Sequence, residues 1–180
     1  MDSTDDQAAT FFNSLNQHRK LIELAFVGPN IGRMGCTALA SLLMNPMSKF
    51  IKLRLGANDF DDYSITVLSN ALMYNNTLIL LNFAGESNEP TRITSAGWRA
   101  FFAIFACPSC SIEDLFLHHF PLGNEFVTHL GNALAVNQTL KYLHIGLSIS
   151  FTIVGWKSLT SSLKNPNSAL EELNLLGVWS

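Results

Sequence analysis

The chain has 180 residues, 48% of them hydrophobic and 14% charged, with a formal net charge of −3. A charged share well below the roughly 25% of average soluble domains excludes a disordered or low-complexity chain, and the charge balance gives no sign of nucleic acid or an anionic membrane as partner. The longest strictly apolar run, Ala100–Cys107, is too short to cross a bilayer, the acidic start Met1-Asp2-Ser3-Thr4-Asp5-Asp6 shows no visible secretory signal, and three cysteines are too few for a disulfide scaffold, so a single cytoplasmic domain over 1–180 is expected.

Residues 5–20 read as a half-repeat. A helix fits about 5–16, with Ser3, Thr4 or Asp5 as candidate caps and no strand ahead of it. Leu21/Leu24/Phe26 then opens an apolar-x-x-apolar-x-apolar spacing. It returns at Phe50/Leu53/Leu55, Leu78/Leu81/Phe83, Ile112/Leu115/Leu117, Leu140/Leu143/Ile145 and Leu170/Leu173/Leu175, in steps of 28 to 34 residues. Alternation around its last two positions is that of a short strand. A second pattern runs in phase. Gly35, Ser64, Gly97, Phe126 and Gly155 are each followed by apolar residues one, four and eight positions later, which share one helical face. Helices are predicted over 34–44, 63–74, 95–107, 125–136 and 154–164. Strand, helix, strand in this order requires parallel strands. The expectation is five repeats over 21–169 and a last strand over 170–180 without its helix.

Two kinds of unit alternate. Pro46, Pro108 and Pro166 precede the second, fourth and sixth strands, whereas Asn75-Asn76-Thr77 and Asn137-Gln138-Thr139 precede the third and fifth. The glycine origin occurs only in units one, three and five, so the true period is a pair of about 57 residues. The pattern resembles the leucine-rich repeat of the ribonuclease-inhibitor type. Pro108-Ser109-Cys110-Ser111-Ile112-Glu113-Asp114-Leu115 follows that family's Pro-x-Cys-x-Leu-x-x-Leu. The resemblance implies an α/β horseshoe: a curved parallel sheet of about six short strands inside, helices on the convex side. The family's Asn or Cys column after each strand reads Pro29, Asn58, Glu86, Phe120 and Ser148 here. Only Asn58 fits, so irregular loops are expected. Extra residues at Glu86–Arg92 read as a surface excursion in unit three.

No constellation points to chemistry. Cys107-Pro108-Ser109-Cys110 lacks a second ligand pair for zinc, and it closes a helix where a redox pair would open one. Cys36, Trp98 and Trp156 share a helix-stripe column and read as core. His118, His119 and His144 fall near strand ends with no nucleophile elbow beside them. The two formal glycosylation sequons read as turns. Phosphate-loop and dinucleotide fingerprints are missing, so no cofactor, no metal and no catalysis are expected. Function then rests on the concave face. Alternation points Lys52, Arg54, Leu80, Asn82, Asp114, Phe116, His118, Tyr142 and His144 onto it, and aromatic and Arg residues dominate protein-binding hot spots. The expected function is a non-catalytic protein-interaction module with an unidentified protein partner. Regulation of a small GTPase and an architectural segment of a larger receptor are the alternatives. The helix-less last strand predicts a piece of a longer array, or self-association through that edge.

Overall fold

Strands and helices alternate along the chain in the order the spacing predicts. The computed structural model describes residues 3–27, 31–56, 60–84, 92–149 and 152–177. The helices are α1 (Ser3–Ser14), α2 (Arg33–Met44), α3 (Asp62–Tyr74), α4 (Ser95–Ala103), α5 (Asn124–Leu134) and α6 (Ile153–Ser162). The strands are β1 (Glu23–Val27), β2 (Lys52–Gly56), β3 (Leu80–Ala84), β4 (Asp114–Leu122), β5 (Tyr142–Ile149) and β6 (Glu172–Gly177). Short 3₁₀ turns at Leu15–Gln17 and Ile104–Ala106 finish the stretches expected as helix to 16 and to 107. All six strands form one parallel sheet in sequence order. Packed helices lie about 8–10 Å apart and strands only about 4.8 Å, so the sheet occupies the inside of the bend.

The two apolar patterns meet in one core. Leu24, Leu53, Leu81, Leu115 and Leu143 face the helices and are buried, as are Cys36, Ile65, Trp98 and Val127 opposite them. Each such side chain, removed from water, contributes roughly 1.5–3 kcal/mol. In the middle of the array the core is aromatic. Trp98 stands 4.8–6.4 Å, centroid to centroid, from Phe83, Phe101, Phe102, Phe120 and Phe126.

Phe120 explains one departure from the family column. β4 carries a bulge between Leu117 and Phe120, and His119 adopts a left-handed φ of 61°. The extra residue rotates Phe120 back toward the helices, where it stacks on Phe83 at 5.2 Å. A ring in the core thus stands where the family uses a polar side chain. Pro29, Asn58 and Glu86 of the same column lie outside the described residues. So does the insertion except Arg92, whose backbone forms an isolated parallel bridge with Asp61.

Two side-chain ladders tie successive repeats. At the helix C-terminal ends the column reads Asn45, Asn75, Cys107, Asn137 and Asn165. Asn75 Nδ2 donates to the Leu43 carbonyl at 2.8 Å, while its Oδ1 accepts from the Thr77 and Leu78 amides. Asn137 repeats this on the Phe105 carbonyl and the Thr139 and Leu140 amides. Asn45 reaches the Asn16 carbonyl, and Asn165 those of Leu134 and Asn137. In the middle repeat Ser109 Oγ donates to the Met73 carbonyl at 2.8 Å, with the Cys107 thiol beside it. Both sequon asparagines are thus buried structural ties.

The second ladder has the paired period. The Asp5 carboxylate on α1 accepts from the Met34 and Gly35 amides in the first turn of α2, rather than closing its own helix. Asp62 accepts from the Thr94 amide and hydroxyl ahead of α4, and Asn124 from the same two groups of Thr152 ahead of α6. A Cβ on Gly35 would lie 3.0 Å from Asp5 Oδ1, and one on Gly97 would collide with Asp62 Oδ1. Glycine at alternate origins therefore makes room for a side chain of the preceding helix.

Candidate functional site on the helix-free sheet face

Strand register brings the expected residues together in rows. Glu23, Lys52, Leu80, Asp114, Tyr142 and Glu172 stand side by side, one per strand. The next row is Ala25, Arg54, Asn82, Phe116, His144 and Asn174. In the third, Ala84 pairs His118 and Gly146 pairs Leu176. All nine sequence-predicted residues share this face, and their neighbours alternate into the core. Lys52 is exposed and the other eight are half-buried.

The rows differ in chemistry from one end of the sheet to the other. On β1 and β2, Arg54 Nε donates to Glu23 Oε1 at 2.9 Å. Both side chains are more than 40% exposed, so the pair is worth at most about 1 kcal/mol. Arg54 is therefore half of an ion pair, and of the two expected cations only Lys52 stands without a hydrogen-bond or ion-pair partner among the described residues.

On β4 to β6 the face is aromatic and acidic. Phe116 and His144 stack at 4.5 Å with planes 5° apart. His144 Nε2 lies 3.8 Å from Glu172 Oε1. Tyr142 donates its hydroxyl to Glu171 at 3.0 Å, which raises the phenol's pKa. Lys141 Nζ is held by Glu113 at 2.7 Å, and its pKa rises accordingly. Burial, then the neighbouring Glu113, pushes the Asp114 carboxyl above the usual range, against the pull of His144, Lys141 and Lys52. His118 lies over Gly146, where a Cβ would come within 2.6 Å of its Nδ1. Burial, then His119 and His144, lowers its pKa and favours the neutral ring.

Sequence reasoning put Glu172 in its column but left Glu113, Lys141 and Glu171 out. These sit one residue before each strand proper, where the Glu–Lys–Glu alternation at the repeat spacing was the available signal. Away from this face, Cys36 is fully buried and its thiol is pushed up to about 12 by desolvation. Burial also raises Cys110, while hydrogen bonding from Ser109 lowers Cys107. Among the described residues no group of three His, Cys, Asp or Glu is placed to hold a metal, and no helix is long and apolar enough to cross a membrane.

The solved structure of leiomodin-1 actin-binding site 2 superposes with a TM-score of 0.65 over 92% of this chain and 90% of that one, at 18% identity, which speaks for the fold alone. In sequence, the chain is 27% identical over 164 residues to the Bos taurus protein named NACHT, LRR and PYD domains-containing protein 9. It is 29% identical over 167 residues to the Mus musculus protein named NACHT, LRR and PYD domains-containing protein 14. The fold is a leucine-rich-repeat solenoid. Each alignment covers 91% of this chain but 16% of the relative, so the chain spans about one-sixth of the length of the curated relatives it matches. No protein-family profile matches.

Proposed function

We propose that residues 1–180 act as one leucine-rich-repeat unit of the ribonuclease-inhibitor type, a non-catalytic module that binds a protein partner on the helix-free face of its sheet. Phe116 carries the reading. It is a large aromatic on the side away from the core, half-buried, stacked on His144 and flanked in the next row by Leu80, Asp114 and Tyr142. An open sheet face gains nothing from such a ring unless a further surface covers it, and buried aromatics are the side chains from which interfaces draw most energy. The paired-period ladders support the ribonuclease-inhibitor type. Relatives named for LRR domains, and a same-fold segment named for actin binding, support a protein as the partner class.

Affinity capture with the intact chain, repeated with Phe116→Ala and Arg54→Ala, tests the reading. A hot-spot truncation of about 2 kcal/mol weakens binding roughly thirtyfold, while thermal midpoints stay put because both side chains leave the core. Normal binding by both variants assigns the partner to another face and ends the proposal.

A further inference from the structure

The β4–β6 half of the face has a chemistry of its own. Among the described residues four carboxylates, Glu113, Asp114, Glu171 and Glu172, stand around Tyr142 against two ammonium groups: Lys141, which Glu113 already holds, and Lys52, two strands from Asp114 in the same row. Glu171 accepts from Tyr142, and Glu172 lies near His144. Asp114 has no hydrogen-bond or ion-pair partner among the described residues, although it is half-buried. Its raised pKa reports that burial together with the Glu113 charge. Aromatic groups lie between and beside the carboxylates: Tyr142 separates Asp114 from Glu172 in one row, and the Phe116–His144 stack fills the next.

We infer that this half of the sheet seats an arginine of a protein partner, its guanidinium laid against Tyr142 and the Phe116–His144 stack and shared between Asp114 and Glu172. The inference rests on the sheet-face reading above and names the partner's chemistry there. Charge complementarity calls for a cation, since the four carboxylates outnumber the two ammonium groups that act on them, Lys141 and Lys52, and neither closes an ion pair with Asp114 among the described residues. Geometry selects the guanidinium. Asp114 and Glu172 spring from strands two apart, about 9.6 Å at the backbone. A planar fork forming a hydrogen bond of about 2.9 Å on each side spans that gap once the side chains lean inward. A guanidinium also stacks on aromatic rings, whereas a lysine ammonium is a more strongly hydrated point charge. The β1–β2 half offers no such seat, because Arg54 already occupies Glu23 and Lys52 adds a positive charge.

The test titrates the full chain, isotope-labelled, with acetyl-Gly-Gly-Arg-Gly-Gly-amide and follows the amide and aromatic NMR signals. The expected result is saturable shifts centred on Asp114, Phe116, Tyr142 and His144, with a roughly millimolar dissociation constant. The lysine peptide should bind more weakly, and the uncharged citrulline peptide about tenfold more weakly. Asp114→Asn and, independently, the exposed Glu172→Gln should each weaken the arginine peptide several-fold with the remaining spectrum unchanged. Equal binding of arginine and citrulline peptides, shifts centred elsewhere, or no saturable shift would overturn the inference. If any of these occurs while Phe116→Ala still abolishes partner capture, the arginine seat falls and the sheet-face reading stands. Loss of both effects removes both.

Discussion

The two ends of the array bury the same kind of residue to different depths. At the N-terminal end α1 lies over the first repeat. Phe12 is fully buried and meets Phe26 at 4.9 Å, Leu24 is buried beneath it, and Asp6, Gln7, Thr10 and Asn13 face outward. At the other end Leu173 is only half-buried and Leu163 is 43% exposed, whereas Leu24 and Leu43 at the equivalent positions are buried; Leu175 is half-buried like its counterpart Phe26, and Leu176 is as exposed as Val27. In a solenoid a unit's burial is supplied by its neighbour, so equivalent residues differ in worth according to what lies beside them.

The largest expected effect breaks the closed end. Phe12→Ala removes a fully buried ring and should cost about 3–5 kcal/mol, a fall of roughly 10 °C in thermal midpoint. Leu175→Ala at the opposite end should cost less than half as much. Equal losses would show that the two ends are equally packed. Next comes the asparagine ladder. Asn137→Ala strands a buried carbonyl and two amides and should cost about 1–3 kcal/mol by denaturant unfolding, whereas the less buried Asn165→Ala should cost under about 1 kcal/mol.

Third, the exposed apolar edge at Leu176 and Val154 should let copies of the chain associate. Light scattering should show a mass that rises with concentration and that Leu176→Lys returns to the monomer value. A wild-type chain that stays monomeric at high concentration sinks the idea.

The smallest effect concerns the one rung built differently. Hydrogen bonding from Ser109 stabilises the Cys107 thiolate and lowers its pKa, while burial holds Cys36 near 12 and raises Cys110. Alkylation in mildly alkaline buffer should therefore modify Cys107 first. Ser109→Ala removes the hydroxyl, which turns from the Met73 carbonyl to donate to the ionised sulfur, but keeps the Ser109 amide, so the alkylation profile should move upward in part. A profile unchanged in that variant would show that the Ser109 hydroxyl does not set the pKa.

Much of this was legible because a repeat states its pattern several times. Each strand and helix stripe recurs in phase, so a chance apolar residue in one unit is outvoted by the others, and the rows of the sheet face followed from alternation alone. What stayed hidden depends on contacts between units. Asn45 and Asn165 sit before Pro46 and Pro166 and read as ordinary turn residues; only spatial stacking shows them as rungs with Asn75 and Asn137. Asp5 was one of three candidate caps for its own helix, since nothing local says that its carboxylate reaches Met34 and Gly35. The bulge at His119 turned an apparent family departure at Phe120 into core packing. The commitment of Arg54 to Glu23 needed the distance between two strands.

The glycine that admits Asp5 at one origin and Asp62 two origins later sets a rule for rearranging the gene. Excising a whole pair of repeats rejoins like with like and keeps the carboxylate of Asp5 or Asp62 above a glycine. Excising one repeat shifts the alternation by half its wavelength. Asp5 would then face Ser64, or Asp62 would face Phe126, and a side chain would stand where the acceptor must lie. Length can therefore change cleanly only in steps of two, much as a two-colour tiling can lose tiles in pairs without showing a seam.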